Sequence, residues 1–312
     1  MRLPPKESVV RTTAVAGLAV ATAALLSPAD SKPAPLDVLV CGGFAAETPP
    51  AASIRLMSWN IERGARLRAV VSAISREKPE VCVFQEVDCN DARTGHRDIA
   101  ALLARRFGLN YVFAREFQEL SQGTRESPAY HGQATLTALP IRSPRLLRFS
   151  RQSSRWLPRW YLPNWPFFQR RLGGRIALVT EIHLGNTSVA IYNVHLESQG
   201  SRELRLAQIR EVVADALRYG PKRPVIIAGD LNTKSFPSPV ISFLLESGFR
   251  DALPGSPRPT HRSGRKLDWI FVRGPLECTG GRVCAGIDAS DHYPLAVEIA
   301  PSPSPGGLAA GR

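Results

Sequence analysis

Apolar residues fall along the chain in short runs of two periods. Ile54-Arg55-Leu56-Met57-Ser58-Trp59-Asn60 alternates as a half-buried strand does, and Leu67 to Arg76 repeats at helical spacing before Pro79. Val81-Cys82-Val83-Phe84-Gln85 predicts a buried strand. Arg97 to Phe107 predicts an amphipathic helix stopped by Gly108, with strands following at Tyr111-Val112-Phe113 and Ala134 to Leu139. Arg175 to His183 and Ser188 to Leu196 form a strand pair about a Gly185-Asn186 turn, and Ser201 caps a helix running to Tyr219. Pro224 to Ala228 and Leu267 to Val272 add buried strands. Hairpins among alternating helices and strands predict sheets covered by helices, not one purely parallel sheet.

The ends of the chain have a different texture. Lys6 and Arg11, the uncharged run from Thr12 to Leu26 and the small residues of Ser27-Pro28-Ala29 predict a signal peptide over residues 1–29 and export to the periplasm or beyond. The same run also suits an uncleaved N-terminal membrane anchor or a plain extension. Val40 is too bulky before Cys41 for lipoprotein processing. Residues 30–52 are rich in Pro and Ala and predict a linker, so the folded domain is expected over residues 53–300. Residues 301–312 predict a disordered tail.

At 312 residues and 44% hydrophobic, the chain can bury one large core. Its net charge of +13 points toward polyanionic partners, or toward solubility alone. The charge is uneven: from Arg142 to Arg175 there are nine arginines and no acidic residue, among Phe149, Trp156, Trp160, Tyr161, Trp165, Phe167 and Phe168. Arginines and rings suit the phosphates and bases of nucleic acid, and equally an anionic membrane surface. The plain alternative is rings packed beneath a long loop. The five cysteines lack zinc spacing. Cys278 and Cys284 flank an expected turn at Thr279 to Val283, where they would face each other as a disulfide or remain two thiols.

Polar groups stand at the ends of the apolar strands: Asn60, Glu86, His195, Asp230 and Asn232, Asp268, and Ser290-Asp291-His292. Singly, each has an ordinary reading as a cap, a surface acid, a turn or a core histidine. Together they suit phosphoester hydrolysis. Glu86 and Asn60 offer the oxygens that a hard Mg²⁺ ion prefers, while His, Asp and Asn can activate water and stabilise charge at phosphorus. Asp268 could orient His292 and raise its basicity. No Gly-rich phosphate loop appears.

The ordered set Trp59-Asn60-Ile61, Gln85-Glu86-Val87, Asn193-Val194-His195, Gly229-Asp230-Leu231-Asn232, Leu267-Asp268 and Ser290-Asp291-His292 resembles the endonuclease/exonuclease/phosphatase superfamily, in its deoxyribonuclease-I-like form. The resemblance spans about Ile54 to Ile299. It implies an α/β (α+β) four-layer sandwich of two mixed β-sheets flanked by helices, with hydrolysis at the sheets' shared edge and Mg²⁺ or Mn²⁺ as cofactor. It further implies that Asn60 and Glu86 bind the metal, that Asp291 assists the metal or holds the loop carrying His292, that Asp230 and Asn232 position water and phosphate, that His292 pairs with Asp268, and that His195 stabilises the transition-state phosphate. His195 places the chain nearer the deoxyribonuclease, sphingomyelinase and inositol-phosphatase branches than the abasic-site repair branch. At His131-Gly132-Gln133-Ala134, Gln133 stands where the resemblance expects Asn. Arg202, Arg205 and Gln208 share a helix face and are expected to brace the site. The expected activity is a phosphodiesterase on nucleic acid. A sphingomyelinase-like phospholipid phosphodiesterase and an inactive binding module are the alternatives.

Overall fold

The computed structural model describes residues 36–46, 51–153, 161–233, 237–256 and 258–302. The expected signal peptide, Trp156, Trp160 and most of the C-terminal tail lie outside the described residues. No helix among those described is long and apolar enough to cross a membrane.

Two mixed sheets stack face to face. The first runs β1 (Leu39–Gly42), β5 (Asn110–Glu119), β6 (Ala129–Thr137), β3 (Val81–Asp91), β2 (Ile54–Arg63), β15 (Leu295–Pro301) and β14 (Leu276–Val283) across its width. Two short strands join it, β4 (Arg97–Asp98) on β3 and β8 (Arg171–Gly173) on β5. The second runs β12 (Arg250–Asp251), β13 (Asp268–Arg273), β11 (Val225–Asp230), β10 (Thr187–His195), β9 (Ile176–Leu184) and β7 (Arg142–Arg148). Helices α1 (Leu67–Glu77) and α2 (Ile99–Phe107) cover the outside of the first sheet, and α3 (Arg202–Leu217) and α4 (Pro239–Glu246) the outside of the second. The expected four-layer sandwich is thus the observed fold.

Each sheet centres on one parallel pair joined through a helix. These pairs are β2 with β3 through α1, and β10 with β11 through α3. Because side chains alternate along a strand, each of these strands sorts its residues onto two buried faces. Met57, Trp59, Cys82 and Phe84 pack under α1 and α2, while Ile54, Leu56, Val81 and Val83 turn inward to meet Ile191, Ile226, Ile270 and Val272 of the other sheet. Burying a side chain of this size contributes about 1.5–3 kcal/mol.

Three expectations need correction. The stretch expected to be linker contains β1, which pairs antiparallel with β5 from Leu39↔Ala114 to Gly42↔Tyr111, and Phe44 beyond it stacks on Tyr111. The helix expected from Arg97 begins at Ile99, because Asp98 caps it by accepting from the Ala101 N–H at 2.9 Å. Thr279 to Val283 is not a turn but part of β14, which carries a bulge between Thr279 and Arg282. Cys278 and Cys284 are therefore spaced along an extended chain at about 3.3 Å per residue, too far apart to bond, and both are free thiols.

Candidate active site

The inward faces of the central strands change character at one end. Leu56 is followed inward by Ser58 and Asn60, and Val83 by Gln85. Ile191 is followed by Asn193 and His195, and Ala228 by Asp230; all are buried. Antiparallel β13 reaches the same end through Asp268, the register partner of Asp230, while Asp230 also pairs with His195. Alternation and register alone thus bring five strands' polar residues to one edge.

Glu86 arrives differently. Simple alternation would point it toward the helices, but β3 is irregular there and Glu86 takes a left-handed φ of 53°. That turn brings its Oε1 to 3.3 Å from Asn60 Nδ2. Gly229 has the same kind of necessity. Its φ is 143°, and a Cβ there would lie 2.0 Å from the Val194 carbonyl oxygen, so only glycine lets β11 approach β10 before Asp230.

Asp230 is the hub of the site. Its Oδ2 lies 3.3 Å from Asn60 Nδ2, 3.5 Å from His195 Nε2 and 3.6 Å from His292 Nε2, and its Oδ1 accepts the Asn232 backbone N–H at 2.9 Å. The Asn232 side chain donates to the Leu196 carbonyl. Burial pushes the Asp230 carboxyl up to about 7, against the pull of His292.

The two histidines are held in opposite states. His292 Nδ1 sits 2.8 Å from Asp268 Oδ2, which also accepts the Thr260 hydroxyl at 2.6 Å. Burial alone would lower His292, but the Asp268 and Asp230 carboxylates outweigh it and raise it to about 10. With Nδ1 given to Asp268, Nε2 is the nitrogen that faces Asp230. His195 is held well below the ordinary histidine range, by burial and then by the Arg175 guanidinium. Arg175 Nη1 lies 3.0 Å from His195 Nδ1 and 3.2 Å from Glu116 Oε1. A guanidinium only donates, so Nδ1 accepts and the His195 proton resides on Nε2, facing Asp230.

The loop before β15 closes the site. Ser290 Oγ donates to the Asn60 carbonyl at 2.7 Å and accepts the His292 N–H, and Trp59 Nε1 donates to the His292 carbonyl. Asp291 takes part in the site's rim through His261, whose Nε2 is 3.4 Å from Asp291 Oδ2. The Ser263 N–H donates to His261 Nδ1, leaving Nε2 as the donor to Asp291.

Two residues of the recognised motifs serve the scaffold. Gln85 donates to Asn193 Oδ1 at 2.8 Å, and Asn193 donates to the Phe84 and Ala134 carbonyls, tying the sheets together beneath the site. Gln133 does the same one strand over, bonding the Ile176 carbonyl at 2.9 Å. Gln208 accepts the Glu197 N–H, and Arg205 donates to the Glu197 carbonyl, so this face of α3 braces the loop after His195. Arg202 makes no such contact. Sequence reading missed Arg175, Glu116, Thr260 and His261. Only Arg175 left a signal, as a charge after Gly173-Gly174 at the mouth of an apolar strand.

Among the described residues, Asp230 with Asp268 and His292, and His261 with Asp291 and His292, place potential ligand atoms within 4.8 Å of one another. The hydrogen bonds just described already employ the His292 and His261 Nδ1 atoms. By chemistry alone, the carboxylates of Glu86 and Asp291 and the amide oxygen of Asn60 suit a hard divalent ion, although Asn60 Oδ1 here accepts the Glu62 N–H at 3.1 Å. Glu86 remains a carboxylate there: burial would raise it, but His131, Arg175 and His292 lower it.

A two-sheet sandwich with carboxamide, carboxylates and histidines at the ends of its central strands defines a class of phosphoester hydrolases. The chain belongs to the endonuclease/exonuclease/phosphatase family, whose model matches residues 57–292. It is accordingly a hydrolase of the phosphoesterase and nuclease type. Similar solved structures include an endonuclease/exonuclease/phosphatase from Beutenbergia cavernae DSM 12333, at 20% identity and TM-score 0.59, covering 80% of this chain and 72% of that one. The human Nocturnin catalytic domain with bound sulfate anion is 18% identical at TM-score 0.61, covering 85% and 98%. Truncated Caenorhabditis elegans TDP2 is 18% identical at TM-score 0.53, covering 80% and 98%. No curated protein sequence matches the chain. Identities this low speak for the fold alone.

Proposed function

We propose that this protein is an exported, divalent-metal-dependent phosphodiesterase that cleaves nucleic acid. The observation that carries this reading is the convergence on Asp230 Oδ2 of Asn60, His195 and His292, within 3.6 Å and out of solvent. Asn60, Glu86 and Asp291 would hold Mg²⁺ or Mn²⁺, which when bound would neutralise phosphate charge and help ionise water. Asp230, positioned by the Asn232 N–H, orients the attacking water and takes its proton. His195, neutral and with its proton on Nε2, donates a hydrogen bond to a phosphoryl oxygen without a titration of its own. His292, held cationic by Asp268, is placed to stabilise or protonate departing charge. Asp291 holds the loop that carries His292.

Trp165 is 58% and Phe167 91% exposed, and three residues after Phe167 come Arg170 and Arg171, which line a cleft beside Glu86. Rings next to guanidiniums suit stacked bases and their phosphates. The same exposed rings favour a second reading, a phospholipid phosphodiesterase docking on a membrane.

The test is nicking of supercoiled plasmid by the full chain with Mg²⁺, with EDTA, and with His292→Ala. The expected result is metal-dependent nicking that falls by about 10²–10⁴ in the variant. A folded protein that leaves the plasmid intact defeats the reading. Loss of liposome binding in Trp165→Ala/Phe167→Ala, with hydrolysis of the lipid, would establish the second.

A further inference from the structure

A cleft of about 460 Å³ opens beside Glu86, walled by Arg63, His131, Arg170, Arg171, Arg175 and Ser198. Its arginines come from three places in the fold: the end of β2, the start of β8, and the residue before β9. Several wall groups are fixed from behind. Glu116 holds Arg175 at 3.2 Å, and Glu119 holds Arg171 at 2.6 Å. Asp88 holds His131 Nδ1 at 2.7 Å and is itself gripped by Arg93 at 2.7 and 2.8 Å. Such a wall is set before any ligand arrives.

Four arginines of the wall stand against the Glu86, Glu116 and Glu119 carboxylates, with Glu197 acting on Arg175 as well. Arg171 is lowered by burial and, against the pull of Glu119, by Arg175 and Arg170. Two buried N–H donors, Arg63 Nε and Arg175 Nε, have no acceptor, although Arg175 is only 4% exposed. Buried donors without partners call for a reason, and an anion in the cleft supplies one.

We propose that the cleft is a second-phosphate subsite, holding the phosphate next to the scissile one in a nucleic-acid strand. The inference rests on the nucleic-acid reading above and adds a requirement to it. Glu86 lines both the cleft and the hydrolytic edge, and Arg175 reaches from the cleft wall to His195, so the two phosphates would be adjacent. A strand carries a phosphate at every link. A phosphocholine headgroup has one phosphate and a quaternary ammonium, which crowded guanidiniums repel.

The experiment uses the full chain and oligothymidylates in which one neutral methylphosphonate replaces the phosphate on either side of the cleaved link. Neutralising the correct neighbour is expected to cut kcat/KM about tenfold or more. Arg63→Gln/Arg170→Gln is expected to show a similar loss on the all-phosphate strand, mainly in KM, and no further loss on the methylphosphonate. A second arm follows inorganic pyrophosphate in EDTA by thermal shift, with stabilisation expected in the wild type and not in the double variant. Cleavage that ignores the methylphosphonate, without pyrophosphate binding, overturns the subsite and leaves the nuclease reading standing. Intact oligonucleotides despite pyrophosphate binding overturn the strand as ligand, and the nuclease reading with it.

Discussion

At the scale of single residues, the site's logic is protonation. Arg175 forces the His195 proton onto Nε2, and burial together with that guanidinium keeps the ring neutral. Nitrogen NMR of the metal-free protein should therefore show one fixed tautomer from pH 8 down through 6; titration near 6.5 would contradict the assignment. His292 has the opposite sign. Its folded value near 10 exceeds the unfolded value of about 6.5, so the folded state holds the proton more tightly. That stabilisation is complete below about pH 6.5 and fades as pH rises through 10. Melting curves in EDTA should show wild type losing stability over this window and His292→Gln lacking that component. The residues at the strand ends were legible because their side chains are rare in such apolar runs. Glu116 and Thr260 were not, and Arg175 showed only as a charge at the mouth of a strand. They act through partners distant in the chain, and nothing local marks an arginine as the donor to a particular imidazole.

At the scale of elements, regular strands and helices followed their periods, and the exceptions have physical causes. β1 hides in a Pro- and Ala-rich stretch because a four-residue edge strand needs no periodicity of its own; pairing with β5 defines it. β14 escapes the apolar pattern because much of it is exposed. β8 is three residues long, and α4, with Pro239 at its start, reads as a featureless apolar run. One exacting junction is Gly229, directly before Asp230. Gly229→Ala would drive a methyl group into the Val194 carbonyl at an unfavourable φ, and denaturant unfolding should report a loss of more than about 2 kcal/mol. A stability within error of the wild type would mean β10 and β11 can separate without cost.

At the scale of the molecule, two sheets share one site. Asn60, Glu86 and the loop from Ser290 to His292 belong to the first, while His195, Asp230 and Asp268 belong to the second. The four-layer plan followed from hairpins and the motif order, but the basic insertion did not separate into its parts. It supplies β7 to the second sheet, β8 to the first, and the exposed rings between them. Bonds such as Gln85 to Asn193 and Gln133 to Ile176 hold the halves in register. The site therefore behaves as a vernier: its atoms coincide only while the two scales are aligned, and a slip of about 1 Å spoils the reading without breaking either scale. Urea titrations should then separate two curves, with hydrolysis fading before the circular dichroism of the strands changes.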